Sequence, residues 1–392
     1  MATNWNGINV ENIFEDPSVQ SQVAVALEKG YWRESKLDFF TGKGKNRAIR
    51  VYPVNTLDPY MPRLKDKLRG DGVTGNTDLD ANLDEMEIFS HTIYPKVIGN
   101  AVKSEIKEYS KLKKIDFAVE SIESLKDWVK DRIQCHTYAT LVNNLTNVVV
   151  SKSDGFYDTT ANKTVKAAAS NMVAGDVLNV KAVRRLINMA KNGYRYNGTD
   201  TFPIAPLKVE IKTENGISFI HETYVLFIDG YQAEQLKNDP EWGEMQKRAG
   251  ERGKNNNIFT GIIGTIDNCA VIDMGNWNSY NIGLPTSYFD QDKFGKFVSN
   301  AETIAPLTNY NAKSDKEACI GVLLGASAMC LAMNDVPKIL IDDTVDMGRK
   351  TQVGIDKILG ISKSVYHSHN KASKSAYDGQ DFGVIGILSI KE

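Results

Sequence analysis

Short apolar segments, bounded by glycine, proline or charged residues, recur along this chain of 392 residues and predict β-strands. They lie at 48–52, 86–97, 207–211, 224–228, 270–273 and 382–390. In the second of them Phe89, His91 and Ile93 alternate with other residues and therefore share one face. The strands do not alternate regularly with helices, so the pattern predicts an α+β fold.

The longest helical pattern covers 116–146, and Asp116 can act as its N-cap. Its apolar positions recur at helical spacing and begin with Ala118, Ile122, Leu125, Val129 and Ile133. At 1.5 Å per residue such a helix is about 45 Å long. We therefore expect it to span a domain as a strut.

Three further segments are predicted to be helices, two from their caps and one from its apolar content. They are 18–30 between Ser18 and Gly30, 180–191 between Asn179 and Gly193, and the run 318–333. The last is rich in alanine and glycine, so we expect a core helix packed closely on its neighbours. It is too short to cross a bilayer, which needs about 20 residues. The first residues lack a signal region, and no membrane partner is expected.

Composition is that of a soluble globular protein, with 42% hydrophobic and 24% charged residues. The net charge of −2 gives no overall attraction to nucleic acid, so at most weak, non-specific contact with DNA is expected. The cysteines contain no CxxC pair, which argues against a zinc ribbon and favours buried thiols in a reducing compartment. They are Cys135, Cys269, Cys319 and Cys330.

The segment 47–98 is a long excursion, rich in proline and glycine, whose charges are sorted by sign. The basic residues come first and the acidic residues follow: Arg63, Lys65, Lys67 and Arg69, then Asp71, Asp78, Asp80, Asp84, Glu85 and Glu87. Connections this long usually have a function. Two interpretations remain open. The segment is a strap that lies on a neighbouring subunit, where each charge block meets its opposite, or it is a mobile, solvated hairpin.

Candidate catalytic motifs lack the required spacing. The segment 41–46, TGKGKN, lacks the spacing of a phosphate-binding loop and is predicted to be a turn. His367 and His369 have no third metal ligand nearby in sequence. Cys135 and His136 are neighbours on a helix, point in different directions and are assigned to packing.

Three other charged motifs are weak indications of binding. Asp342, Asp343 and Asp346 could hold a divalent cation, but their spacing does not fit a calcium loop, which favours a solvated loop or an intersubunit contact. The tripeptide 69–71 matches a cell-adhesion motif but lies within the charge-sorted segment. A basic patch could touch phosphate weakly. It comprises Lys247, Arg248, Arg252 and Lys254.

Four blocks, taken in order, resemble the major capsid proteins of tailed phages, specifically the coat family of N-four-like podoviruses. They are 68–85 (LRGDGVTGNTDLDANLDE), Ala101 and Val102 with the helix 116–146, 224–274 (beginning YVLFIDG), and 323–386 (ending DFGVIG). Each block alone is moderately specific, and their shared order carries the resemblance. Ala81 stands where the family pattern has a glycine.

The resemblance implies the Hong Kong 97-type fold and a protein that assembles into the icosahedral shell around phage DNA. The implied parts are an N-terminal arm (1–46), an extended loop (47–98), a peripheral domain with the spine helix (99–222), an axial domain (223–340) and a C-terminal segment that returns to the core sheets (341–392). Implied partners are other copies in hexamers and pentamers, scaffolding and portal proteins, and optional decoration proteins. The implied location is the virion, after assembly in the host cytoplasm.

Two alternatives stay open at this point. One is an encapsulin-like cellular compartment of the same fold, which encloses a cargo enzyme. The other is a metal-dependent enzyme that uses the 342–346 carboxylates. Because no motif has catalytic spacing, we expect neither an enzyme nor a cofactor.

Overall fold

A computed structural model describes most of the chain. The described residues are 4–5, 8–9, 17–65, 72–76, 78–80, 86–106, 117–142, 145–152, 171–193, 195–196, 199–200, 202–212, 218–250, 262–275, 318–334, 336–369 and 377–391. Within them, helices and strands are mixed without regular alternation. The predicted α+β class is confirmed. No described helix is long and apolar enough to cross a membrane.

The helices are numbered in chain order. They are α1 (Pro17–Glu34), α2 (Phe117–Val142), α3 (Val180–Asn192), α4 (Gly230–Asn238) and α5 (Pro240–Gly250), with a short 3-10 helix at Asp38–Phe40.

The strands are numbered in the same way. They are β1 (Asn4–Trp5), β2 (Ile8–Asn9), β3 (Thr41–Gly42), β4 (Ile49–Pro53), β5 (Arg63–Lys65), β6 (Ile88–Ser90), β7 (Lys96–Lys103), β8 (Val148–Val150), β9 (Arg195–Tyr196), β10 (Thr199–Asp200), β11 (Leu207–Lys212), β12 (Ser218–Ile228), β13 (Ile262–Ile266), β14 (Cys269–Asp273), β15 (Ala318–Leu324), β16 (Met329–Met333), β17 (Lys338–Asp342), β18 (Gln352–Lys363), β19 (His367–Ser368) and β20 (Val384–Ile390).

The first sheet has the order β13–β14–β12–β15–β20–β8, and β11 pairs with the first half of β12. Its centre is apolar on both faces, because β15 and β20 are buried along their whole length. Helices α3 and α4 cover one face. The predicted strands at 207–211, 224–228, 270–273 and 382–390 all lie in this sheet.

The second sheet has the order β17–β18–β16–β4–β3, with β7 pairing along Gln352 to Leu359 of β18. The predicted strand 48–52 is β4, which runs parallel to β16. Although β16 and the first part of β17 fall within the segment 223–340 expected to be axial, both strands lie in this sheet beside β4 and β18. The remaining described pairings are β1 with β2, β9 with β10, and a small sheet of order β19–β6–β5.

Helix α2 connects the two sheets. It packs on β7 and β18 of the second sheet and on β15 of the first, and α1 lies against it. The predicted apolar stripe is buried, with Ile122, Leu125, Val129 and Ile133 at most 2% exposed. The described helix of 26 residues is shorter than predicted and is about 39 Å long at 1.5 Å per residue. Asp116, the predicted cap, lies outside the described residues.

The prediction of a helix at 318–333 is wrong. These residues form β15 and β16, joined by a turn in which Ser327 has a φ of 54°. Continuous apolarity does not distinguish a buried helix from a buried strand, because neither has a polar face. The turn then directs β15 into the first sheet and β16 into the second.

The predicted caps had different outcomes. Asn179 Oδ1 accepts a hydrogen bond from Ala182 N at 2.7 Å, and Gly193 ends α3 with a φ of 73°, so the helix predicted at 180–191 is confirmed. Gly30 does not end α1, which continues to Glu34. A glycine costs a helix interior only about 1 kcal/mol, and packing of α1 on α2 offsets that cost.

Substitution of Gly325 by alanine is expected to destabilise the turn between β15 and β16. The added Cβ would lie 2.3 Å from Ile204 Cγ2 and 2.5 Å from the backbone oxygen of Ala205. Because this oxygen accepts a hydrogen bond from Ala326 N at 2.7 Å, it cannot withdraw cheaply. We expect a loss of about 3 kcal/mol in the free energy of unfolding, measured by urea denaturation of unassembled protein.

The matched control is Gly243→Ala in α5. Apart from the adjacent residues and the backbone of the helix itself, no described atom lies within 4 Å of the new Cβ there, so this change should be neutral or stabilise by up to about 1 kcal/mol. Equal effects of the two substitutions would contradict the close-approach argument.

Candidate intersubunit surface

The segment 47–98 is fixed to the body at its root. Beyond β4, Tyr60 N donates to the oxygen of Ile93 at 2.9 Å, and Ile93 N donates to the oxygen of Tyr60 at 2.8 Å. Next, β5 and β6 form a ladder, and β6 also pairs with β19 from the C-terminal part of the chain. Both arms are therefore held where they leave the body.

The face predicted for 86–97 is buried beneath this root. Phe89 and Ile93 are fully buried and His91 is 9% exposed, as the alternation predicted. The ring of Phe89 lies 6.1 Å from that of Tyr377, and His91 lies 6.1 Å from Tyr366. Burial lowers the pKa of His91 to about 4, so its imidazole is neutral near pH 7.

The described residues near the tip stand in solvent. Gly72 and Gly75 both have a φ of 70°, and apart from the adjacent residues no described atom lies within 4 Å of the position that a Cβ would take. Two large apolar side chains are exposed in the same region, Leu79 by 63% and Met86 by 57%. The root is thus anchored, whereas the described tip makes little contact with the body.

The predicted basic residues that the structure describes are Arg63 and Lys65, which lie exposed on β5. Asp80, also exposed, lies near the tip, where its backbone N donates to Asp78 Oδ1 at 3.3 Å. Arg63, Lys65 and Asp80 form no ion pair with the described part of the chain. Their charges are accessible to another molecule.

Glu87 differs from these residues. It is half-buried and accepts a hydrogen bond from Ser368 Oγ, which ties the acidic arm to β19. This contact was not predicted, because the two residues are 281 positions apart. The other members of the proposed strap lie outside the described residues: Lys67, Arg69, Asp71, Asp84 and Glu85.

A family model described as phage capsid protein matches residues 62–391. This match covers most of the chain, including α2, the whole first sheet and the second sheet apart from β3 and β4. The chain belongs to the phage capsid protein family. Its role is structural, as a major capsid protein of a phage and a component of the virion.

Relatives of this capsid protein agree with the assignment. A protein described as a major structural protein of Helicobacter pylori bacteriophage KHP30 is 34% identical over 406 aligned positions, which cover 100% of both chains. A protein described as the major capsid protein of Pseudomonas phage KPP25 is 23% identical over 91% of this chain and 92% of that protein.

Solved structures support the capsid fold. The acid-stable capsid structure of bacteriophage KHP30 has a TM-score of 0.70 at 35% identity, with coverage of 91% of this chain and 92% of that one. The capsid of cyanophage Pam1 has a TM-score of 0.64 at 16% identity and covers 92% and 93% of the two chains. The latter likeness concerns the fold alone.

The carboxylates of the capsid protein at 342–346 bind separate partners. Asp342 Oδ1 accepts hydrogen bonds from Thr344 Oγ1 at 2.7 Å and N at 2.9 Å, and these bonds hold the pKa of Asp342 below its ordinary value. Asp343 accepts from Thr351, and Asp346 lies 3.2 Å from the Nζ of Lys350. Among the described residues, no group of three or more His, Cys, Asp or Glu could hold a metal ion.

The other motifs have simple structural assignments where they are described. The segment 41–46 consists of β3 followed by a turn, as predicted. His367 and His369 are exposed, and His367 lies 3.9 Å from Asp378. His136 is buried within α2. The 69–71 tripeptide and the side chains of Cys135 and the basic patch at 247–254 lie outside the description.

Two buried ion pairs hold the capsid protein together and were not predicted. Lys357 Nζ on β18 lies 2.5 Å from Glu28 Oε2 on α1, with side chains 1% and 12% exposed. Lys363 Nζ lies 2.7 Å from Asp381 Oδ1, with side chains 7% and 0% exposed. The only sequence signal is a lysine at 357 on the apolar face that contains Ile355 and Leu359.

Proposed function

We propose that copies of this capsid protein assemble into a closed icosahedral shell that encloses the phage genome. The assembly uses hexamers and pentamers in the Hong Kong 97-type arrangement, with 47–98 extending over a neighbouring copy. Many modest contacts, repeated around closed symmetry, make such a shell stable. The proposal includes no catalytic step.

The observation that carries this proposal is the contrast between the anchored root and the exposed tip of 47–98. At the root, the side chains of Phe89 and Ile93 are buried, whereas those of Leu79 and Met86 are more than half exposed. The root of this arm is fixed, and its apolar and charged side chains are exposed. These side chains become buried when the arm contacts a second molecule. Accessible charge on Arg63 and Lys65 favours an acidic partner surface.

The division of the chain follows from the same proposal. It comprises the arm 1–46, the loop 47–98, a peripheral domain 99–222, an axial domain 223–340 and a C-terminal segment 341–392. That segment supplies β18 to the second sheet and β20 to the first. It therefore joins the two sheets.

Partners and location complete the proposal. With a net charge of −2, the shell encloses DNA with at most weak, non-specific contact. Assembly takes place in the host cytoplasm with scaffolding and portal proteins, and the outer surface can accept decoration proteins. The basic test is electron microscopy of the expressed, purified chain, which should show closed particles. A small, uniform oligomer under all conditions would oppose the proposal.

Charge reversal of the four basic loop residues is expected to block assembly. The variant carries Arg63→Glu, Lys65→Glu, Lys67→Glu and Arg69→Glu. The reversed residues would then repel the acidic surface that the loop is proposed to meet. We expect soluble protein with an unchanged circular dichroism spectrum and no particles by light scattering.

The matched control reverses four exposed basic residues on helices. These are Lys29, Lys181, Arg185 and Lys237. The control has the same net charge, so a general charge effect would affect both variants. Normal particles from the loop variant would refute the strap, whereas failure of the control alone would show that the contact lies elsewhere.

A further inference from the structure

The turn between β17 and β18 presents an apolar side chain entirely to solvent. Met347 is 100% exposed. Asp346 and Met347 both have a φ of 57°, and Gly348 has a φ of 83°. The left-handed region disfavours residues that carry a Cβ, particularly one after another. A single exposed apolar residue is ordinary, but one held in an unfavourable conformation needs a reason.

The turn is held firmly by its own hydrogen bonds. Gly348 N donates to the oxygen of Thr344 at 3.2 Å, and Lys350 N donates to the oxygen of Val345 at 3.1 Å. The Lys350 ammonium lies 3.2 Å from Asp346 Oδ2. The unfavourable backbone is therefore built into the turn. This backbone conformation points the side chain of Met347 away from the body. A fully exposed side chain makes no packing contribution to the stability of the isolated chain.

Opposite charges flank the exposed methionine on the two arms of this hairpin. Asp342 is exposed at the end of β17, and Arg349 is exposed on the return to β18. Neither forms an ion pair with the described part of the chain. A surface that carries both signs in this order is complementary to itself when copies meet head to tail around a rotation axis.

We propose that the 343–351 turn is a contact site for a second copy of this chain, with Met347 as its buried anchor. This inference rests on the proposed function, because a shell supplies the neighbouring copies. Met347 of each copy packs against its neighbour, and Arg349 of one copy faces Asp342 of the next. Leu340, which is 40% exposed on β17, extends the apolar area of the same hairpin.

The first test replaces Met347 with glycine and follows assembly of the full chain by light scattering and electron microscopy. Glycine adopts a φ of 57° without steric cost, so the unassembled variant should melt at the same temperature or higher. Its critical concentration for assembly should rise roughly tenfold or more, as for loss of an interface anchor. Met347→Leu keeps the apolar side chain and should assemble like the unmodified protein.

The second test exchanges the charges. Asp342→Arg and Arg349→Glu should each weaken assembly, because each brings like charges together between copies. The double variant restores an opposite-charge pair between copies and should recover assembly. Damage to the turn itself would not be repaired by the second substitution, so recovery distinguishes a contact between copies from local unfolding.

The outcomes separate this inference from the proposed function. If the unmodified chain forms no particles, either alone or when expressed with a scaffolding protein, the proposed function fails. If it forms particles and Met347→Gly forms them at the same concentration, the contact is overturned and the shell stands, including the case in which the turn binds another virion protein. Failure of the double charge variant to recover overturns the Arg349–Asp342 pairing.

Discussion

Replacement of Asp381 by asparagine is expected to lower the free energy of unfolding by about 3–5 kcal/mol, the usual cost of breaking a buried ion pair from one side. Asp381 is fully buried, and its Oδ1 lies 2.7 Å from Lys363 Nζ. Its Oδ2 accepts a hydrogen bond from Thr146 N at 2.8 Å, and its own N donates to Thr146 Oγ1 at 2.9 Å. Asparagine keeps the shape but leaves the Lys363 ammonium buried beside a neutral group.

The effect matters because this cluster joins the two sheets. Lys363 is the last residue of β18 in the second sheet. Thr146 and Asp381 precede β8 and β20, which are neighbours in the first sheet. Loss of the pair should therefore destabilise the relation between the sheets as well as one local contact. Urea denaturation of unassembled protein measures the change.

The control for this prediction is Asp127→Asn on α2. Asp127 lies 3.8 Å from Lys130, and its side chain is 63% exposed, so its loss should cost less than about 0.5 kcal/mol. The double variant Asp381→Asn with Lys363→Met should be more stable than Asp381→Asn alone, because no buried ammonium remains. A change below about 1 kcal/mol for Asp381→Asn would mean that water or another group compensates the buried lysine.

The elements that sequence patterns predicted well are those whose signals are local. Helix α3 was predicted from Asn179 and Gly193. The side chain of Asn179 accepts a hydrogen bond from a backbone N–H group of the first turn, and Gly193 ends the helix. Helix α2 was predicted from one apolar stripe. The buried face of 86–97 was predicted from alternation alone, and Phe89 and Ile93 on this face are indeed buried. In each case the sequence signal lies within a short segment of the chain.

The features that could not be predicted depend on partners far along the chain. The run 318–333 becomes two strands because β20 and β18 supply their hydrogen bonds, and β20 begins 66 residues after Ala318. Lys357 and Glu28 are 329 positions apart, so opposite charge alone could not identify the pair. The strap hypothesis used a different kind of signal, the sorting of charge along 63–87. It predicts an accessible surface and does not specify the residues that meet it.

The free energy of unfolding is expected to decrease as the pH falls from about 6.5 towards 4, through two buried histidines. Burial lowers the pKa of His136 to about 3, with a smaller contribution from Arg132. Burial also lowers the pKa of His91 to about 4, opposed in part by a hydrogen bond that the imidazole donates to the backbone of Val365. Both histidines have an ordinary pKa of 6.5 in the unfolded chain.

The sign follows from proton binding. Between pH 6.5 and these lowered values the unfolded chain holds a proton on each histidine and the folded chain does not. Proton binding therefore favours unfolding in this range. The free energy of unfolding reaches its full value only at a pH above the unfolded pKa of 6.5. Each histidine lowers the free energy of unfolding by about 1.4 kcal/mol for each pH unit below the unfolded pKa. The loss at about pH 4.5 is therefore about 2–3 kcal/mol for each histidine.

The measurement compares urea denaturation at about pH 7.5 and about pH 4.5 for the unassembled chain and for His136→Gln, since a glutamine does not titrate. Carboxylates that also titrate in this range are the same in both proteins, so the difference between the two pH dependences isolates His136. The variant should lose about 2–3 kcal/mol less than the unmodified protein on acidification. His369→Gln, at an exposed position, is the matched control for replacing a histidine with glutamine. Equal losses for His136→Gln and the unmodified protein would mean that His136 takes up a proton within the folded chain, and hence that α2 opens to water without global unfolding.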